Sequence, residues 1–458
     1  MVTEGFRMKY IKRFIQGIIL IWTINAFLLS KLFSLGFWVE VCFWLLFLAL
    51  FTLYNVRPER DKKLPKKLNS LICGYQILLA TCICFIAELL LTVSLCIWGS
   101  ALIDLSKWAN IFILILNCII SFSLMTVLYI NGLVRIFVTS GQLTLTLRIL
   151  LVCLWWIPIA NIVPIILTCK TVGTEIRFLR DKHFLNLERK NLEICRTKYP
   201  ILLLHGIFFR DWKVLNYWGR IPGELLDNGA VIYYGNLSSS LSVEGSAEEL
   251  KRRILEIVAE TNCGKVNIIA HSKGGLDARY AISCLGMDSY VASLTTINTP
   301  HYGSSLASKL IEKTPEKLVF FIGKQYQTIF TRLGDKQVDF FSGIIGLTPE
   351  RCAELNQTVT DREGVLYQSL GSKMRAPSGA LFPLSLGYRI IYGMDGDNDG
   401  LVSTESMKWG RFLGMWTPSG QRGISHGDVV DLTRKNIEGF DVCERYVQLV
   451  SDLKEKGL

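Results

Sequence analysis

The sequence predicts two halves of different class. Residues 1–170 read as an N-terminal α-helical transmembrane bundle of four to five spans, and residues 198–458 as an α/β domain, a mostly parallel sheet with helices on both faces. A charged linker at 171–197 joins them. Three observations carry this. Half of the 458 residues are hydrophobic and only 19% are charged, too apolar for an ordinary soluble enzyme. The apolar residues of the first half gather in runs of membrane length. The second half changes to short all-apolar runs closed by glycine, alternating with amphipathic helical spacing, the pattern of a buried parallel sheet.

The net charge of +11 is confined to one half: residues 1–190 hold 20 Lys/Arg against 9 Asp/Glu, and residues 191–458 hold 30 against 30. Basic loops between apolar runs set membrane orientation, and a neutral C-terminal half lacks the basic stripe that phosphate binding needs. The expected partners are therefore a bilayer and no nucleic acid. Of 13 cysteines, those of the soluble half (Cys195, Cys263, Cys284, Cys352 and Cys443) are odd in number and widely spaced, which indicates neither a disulfide framework nor a zinc site.

Five stretches qualify as spans: Phe14 to Leu29, Leu32 to Tyr54, Leu71 to Trp98, Trp108 to Tyr129 and Ile149 to Cys169. A second span follows the first almost at once and no small-residue cleavage site intervenes, so the first is not read as a signal peptide. Arg7, Lys9, Lys12 and Arg13, then Arg57 to Lys67, place the N-terminus and the second loop inside. Five full spans put the C-terminal half outside, yet Lys170, Arg177, Arg180, Lys182, Arg189 and Lys190 favour the inside. A re-entrant fifth segment, broken at Pro158 and Pro164, would reconcile the charges; its apolarity over 21 residues tips the expectation to an external domain. Glu40 and Glu88 fall inside spans with no basic partner in the same span, and are read as protonated packing residues rather than a transport site.

In the second half, Ile201 to Leu204 before His205-Gly206 is a first strand and Ala230 to Tyr234 a second. Leu250, Ile254, Leu255 and Val258 mark a helix over Ser246 to Glu260, Val266 to Ala270 is a third strand, and Lys273 to Leu285 a second helix. Ala270-His271-Ser272-Lys273-Gly274-Gly275 stands at that last strand-to-helix junction. A nucleophile elbow needs a sharp turn that lifts a Ser above the sheet, with small residues two before and two after it, here Ala270 and Gly274. A Ser nucleophile needs a His base held by a carboxylate, in the order Ser, Asp, His on this fold. Of the five histidines only His426 lies far enough downstream. Asp395, Asp397 and Asp399 crowd the turn after an expected strand at Tyr388 to Tyr392.

Along about 230 residues, YPILLLHG, YWGRIPGELLDNGAVIYY, KVNIIAHSKGG, TINTPHYGS, DNDGLV and SHGD occur in the order found in bacterial triacylglycerol lipases of the α/β-hydrolase superfamily, which this half resembles. The resemblance implies an esterase with Ser272 as nucleophile, selects Asp399 as the acid and His426 as the base, and places the oxyanion hole on the backbone N–H groups of Ile207 and Lys273. It requires no cofactor. Members with the HxD pattern often carry a structural calcium; Asp428 fits one ligand position, but Leu432 stands where a Gln would be the second. The membrane half lies outside the resemblance. His205 and His301 are read as loop-fixing residues, and the Lys273 side chain as solvent-exposed or facing an anionic head group. The apolar stretch within 304–365 (Phe320, Phe321, Ile322, Phe340, Phe341, Ile344 and Ile345) is read as a cap or lid. The expected activity is hydrolysis of carboxylic esters of lipids; acyl transfer by the same triad, and a hydrolase-like binding module of a membrane sensor, are the rival readings.

Overall fold

The computed structural model describes residues 15–56, 61–98, 108–207, 216–238, 241–313, 340–418, 420 and 422–458. It divides into two compact units, Met1–Leu185 and Asn186–Leu458. In the first, four helices are long and apolar enough to cross a membrane, Phe37–Asn55, Lys66–Leu95, Trp108–Thr139 and Ile159–Leu192; the pair Ile15–Ile24 and Ala26–Leu32, bent by 73°, makes a fifth if it is one span. Lys66–Trp98 and Trp108–Thr139 pack closely because Gly74 faces Gly132: a Cβ on Gly74 would lie 2.8 Å from Arg135 Cβ and 3.0 Å from Gly132 O.

The bend at Asn25 exposes backbone groups that hydrocarbon cannot satisfy, and the helix Trp108–Thr139 supplies the partners. Ser121 donates to Ile24 O at 2.8 Å, and Asn117 Oδ1 accepts from Leu28 N–H at 3.2 Å. Asn117 also donates to Asn25 and, at 3.4 Å, to Glu88. Glu40 is paired with Lys31 at 2.7 Å and accepts from Ser30. Partners for both glutamates thus come from other helices, which inspection of single spans does not reveal.

The segment expected as a fifth span is divided. A helix over Leu145–Cys153 ends, and a second over Pro158–Arg189 begins at the proline, whose missing N–H is harmless in a first turn. The two form a hairpin. Tyr129 donates to Leu151 O at 3.0 Å and accepts from Asn161 at 2.7 Å, so the tip region of the hairpin sits ten residues, about 15 Å, down the helix from Thr139. The returning helix brings Glu175 back to the helix end, where it accepts from Gly141 N–H at 2.8 Å and from Ser140. Further along, His183 Nε2 lies 2.9 Å from Lys63 O. Residues 171–189, read from composition as linker, continue this helix.

The second unit holds a six-stranded sheet, wholly parallel, in the order β2-β1-β3-β4-β5-β6: β1 Ile201–Leu204, β2 Ile232–Tyr234, β3 Val266–His271, β4 Val291–Ile297, β5 Leu366–Ser372 and β6 Arg411–Trp416. Alternate residues of β1 enter two separate cores. Ile201 and Leu203 pack with Trp218, Ile221 and Tyr446 on one face, and Leu202 and Leu204 with Leu250, Ile254 and Ile282 on the other. This burial on both faces is why the strands read as unbroken apolar runs. Tyr388 to Tyr392 is not a strand. It lies in the helix Leu384–Asp395, with Tyr388 and Ile391 buried one helical turn apart, and so short an apolar run does not separate period two from period 3.6. Of the expected cap, helices Ser305–Lys313 and Phe340–Ile345 are present, with Ile344 buried and Ile345 exposed. Phe320, Phe321 and Ile322 lie outside the described residues.

Candidate active site

β3 ends at His271 and the helix Lys273–Cys284 starts at Lys273, so Ser272 alone makes the turn. Its φ of 56° and ψ of −132° are a conformation costing about 1–3 kcal/mol for a residue with a Cβ. β4 and the turn after it hold it there: Ser272 N–H donates to Ile297 O at 3.0 Å, and Thr299 Oγ1 donates to Ser272 O at 2.8 Å. Glycines let the helix approach. A Cβ on Gly274 would lie 2.6 Å from His205 O, and one on Gly275 2.2 Å from Thr299 Oγ1. Gly206, two residues past β1, also allows a close approach, since a Cβ there would meet Ser272 Cβ at 2.8 Å. Ile207 follows it, half-buried, and Lys273 N–H belongs to the first helical turn, where N–H groups lack intrahelical partners.

Asp399 and His426 are brought together from loops beyond β5 and β6. Asp399 is fully buried, and its Oδ2 lies 2.6 Å from His426 Nδ1. Its Oδ1 accepts from the N–H groups of Leu401 and Val402 at 2.9 and 2.8 Å. His426 N–H in turn donates to Asp399 O at 2.9 Å. With Nδ1 engaged, Nε2 is the nitrogen left to face a substrate or nucleophile. The His426 ring lies 4.5 Å, centroid to centroid, from that of His271, the residue before Ser272. Asp395 and Asp397, the other acids of the turn, are exposed and bonded to Ser305 and Lys373.

Three contributors were not legible in the motifs. Asn298 donates to Asp399 Oδ2. Tyr217 OH lies 2.6 Å from His271 Nδ1, fixing the ring beside His426. The Lys273 side chain is neither exposed nor free to meet a head group: it is buried, 2.7 Å from Asp277 Oδ1 and 2.8 Å from Ser246 Oγ, because the first turn of its helix packs against the helix Val243–Thr261. Burial pushes the Asp277 carboxyl up to about 6 against the pull of Lys273. His205 bridges Gly206 O and Leu237 O, and buried His301 contacts Thr296 and Arg279.

Asp428 does not offer a cation its oxygens. Oδ2 accepts from Ser425 N–H at 2.9 Å and Ser425 O–H at 2.6 Å, and Oδ1 from the Arg422 guanidinium at 3.0 Å. Calcium requires six to eight oxygen ligands. Among the described residues no three His, Cys, Asp or Glu side chains converge on one point. The residues present do not fit the calcium implied by the HxD pattern.

Residues 234–332 match the family model "Putative serine esterase (DUF676)". A triacylglycerol lipase of Vibrio cholerae serotype O1 is 31% identical over 291 residues, covering 57% of this chain and 90% of that protein. The chain belongs to the triacylglycerol lipase family. A further family member, the triacylglycerol lipase of Pseudarthrobacter phenanthrenivorans, is 40% identical over 116 residues, 24% of this chain and 36% of that lipase; here the chain spans about a third of its relative's length. The crystal structure of Staphylococcus hyicus lipase aligns at a TM-score of 0.45 and 18% identity, covering 57% of this chain and 97% of its own.

Proposed function

We propose that this lipase-family chain is a membrane-anchored serine hydrolase that cleaves carboxylic esters of lipids. The observation that carries the reading is the 2.6 Å contact of His426 Nδ1 with buried Asp399, set beside the strained elbow of Ser272. Ser272 Oγ attacks the acyl carbonyl while His426 Nε2 takes its proton, and Asp399 stabilises the imidazolium. The tetrahedral oxyanion is received by the N–H groups of Ile207 and Lys273. As it collapses, His426 returns the proton to the leaving alkoxide and the alcohol departs. Water, deprotonated by His426, then adds to the acyl-enzyme, and fatty acid and free Ser272 result. An apolar substrate suits the surface next to the acid loop, where Leu381, Phe382, Leu386, Tyr392 and Met394 are exposed.

The test uses the full chain in detergent. A fluorophosphonate probe should label the wild type but not Ser272→Ala, and a labelled glyceride ester should yield free fatty acid. Acyl ester of an added alcohol as the main product would convert the reading to transfer. An unlabelled wild type would leave only a binding module.

For the anchor, we propose four crossings and a cytoplasmic hydrolase half, in place of the external one expected from five full spans. The support is the hairpin Leu145–Arg189, which enters beside Ser140 and returns beside it at Glu175. It therefore adds no net crossing. The contact of His183 with Lys63 supports a common side for the basic stretch around Lys170–Lys190 and the basic loop after the second span, and on this reading the positive charges that conflicted in sequence agree.

A further inference from the structure

We infer that Arg422 does the work of a structural metal ion in this chain, cross-linking the loop that carries His426 and making the site independent of calcium. The inference rests on the reading of His426 as the catalytic base.

Asp428 is buried two residues after His426, and a buried carboxylate requires a counter-charge or several donors. It has both. Ser425 gives it two neutral donors from within the loop, and Arg422 gives it a cation at 3.0 Å. The same guanidinium donates through Nε to Gly379 O at 2.8 Å. Gly379 belongs to a separate turn, Pro377–Gly379, which precedes the helix Leu384–Asp395 and so the loop of Asp399. One planar group thus draws a carboxylate from the base loop and a carbonyl from the segment ahead of the acid loop to the same point. A divalent oxygen-seeking cation does that by coordination. The backbone reinforces the same junction: Ile424 N–H donates to Lys373 O at 2.8 Å, and Gly423 bridges Met374. On the other side, Leu432 approaches Gly427 with its side chain, where an oxygen ligand would be needed.

The substitution changes what the loop responds to. An arginine is covalently retained, so chelation does not remove it. Arg422 touches no reacting atom. It is a positioning residue, acting through Asp428 and Ser425 on the orientation of His426.

The experiment uses the full chain in detergent with a short-chain nitrophenyl ester. Wild type should keep its kcat and melting temperature in EDTA and gain nothing from millimolar calcium. Arg422→Met should lower kcat about 10- to 100-fold, the loss of a charged hydrogen bond, with KM within about twofold. Arg422→Lys, which keeps the charge and loses the second arm, should recover part of kcat. Calcium-dependent activity or melting in the wild type, or wild-type kcat in Arg422→Met, overturns the inference. Should Arg422→Met not fold, the EDTA and calcium measurements on wild type decide alone. If Ser272→Ala matches wild-type turnover, the reading of the triad has failed instead, and the melting temperatures of wild type with EDTA and of Arg422→Lys still test the cross-link.

Discussion

Asn298 Nδ2 meets Asp399 Oδ2 at 2.6 Å, the same oxygen and the same distance at which His426 Nδ1 approaches it. Asn298 sits just past β4 with φ of 50°, and its side chain also donates to Ser372 on β5. It shares that oxygen with His426 and restrains the carboxylate from rotating. Asn298→Ala should therefore reduce kcat about 10- to 100-fold, the value of a hydrogen bond to a charged group, while leaving KM near its wild-type value. Steady-state kinetics on a soluble ester checks this.

Removing the proposed nucleophile or base should be far more damaging. Ser272→Ala and His426→Ala are each expected to lower kcat by about 10⁴- to 10⁶-fold with folding intact, and Asp399→Asn by no more than about 10⁴-fold, since its role is orientation. Circular dichroism alongside kinetics separates chemistry from folding. A loss seen only in Asp397→Asn would identify the wrong acid.

Acid should destabilise the hydrolase unit through two buried rings. Burial, with the neighbouring His426 ring for His271 and the Arg279 guanidinium for His301, holds both well below the usual imidazole value of 6.5. Below that pH the unfolded chain binds protons that the native chain refuses, so stability falls as pH falls, by up to about 1.4 kcal/mol per pH unit for each ring. Asp277 acts with the opposite sign. Its carboxyl is raised to about 6, so its contribution is full below the unfolded value of 3.8 and lost as pH rises through 6. Two rings outweigh one carboxyl, and melting temperature should drop from pH 7 to pH 5. The His271→Asn/His301→Asn double variant should flatten that slope.

The elbow should tolerate no added methyl group. Gly274→Ala would place a Cβ 2.6 Å from a backbone carbonyl, which cannot step aside as a side chain can. A destabilisation of about 1–3 kcal/mol is expected. Gly264, where a Cβ meets nothing, is a poor control because its φ is 73°; Gly223→Ala, also in open space and with ordinary backbone, should be near neutral. Chemical denaturation compares the two.

The side of the membrane is open to labelling with an impermeant maleimide, scored against the unsubstituted chain. Leu458→Cys should react only after permeabilisation, and Ser34→Cys, in the turn between the first two apolar helices, should react in intact cells. Labelling of Leu458→Cys in intact cells would restore the external domain.

Sequence made the candidate nucleophile and base legible for physical reasons. The elbow confines small residues, a Ser and a strand-to-helix change of period to six positions, and few histidines exist to choose from. Asn298, Tyr217 and Arg422 carry no such local mark: each acts across a sheet or between loops, at a distance that only tertiary contacts define. The same holds in the membrane half. The apolar runs were plain, but whether Ile149 to Cys169 crosses depends on Tyr129 and Glu175 gripping it from another helix or from within the hairpin. Buried Lys273 shows the reverse limit, for a charged residue in a first helical turn reads as solvated until its Asp277 partner and covering helix are seen.

Because every strand of the sheet runs the same way, each return to the site costs a full crossover, and the chemistry is spread over distant stretches of chain. Ser272 is translated about 150 residues before His426, which at about 5–20 residues per second is a delay of roughly 8–30 s. Throughout that interval the apolar helices are already made, while the proposed nucleophile has no base. On the proposed mechanism, the order of synthesis would act as a safety catch: a chain still being threaded into lipid could not yet cut the lipid around it.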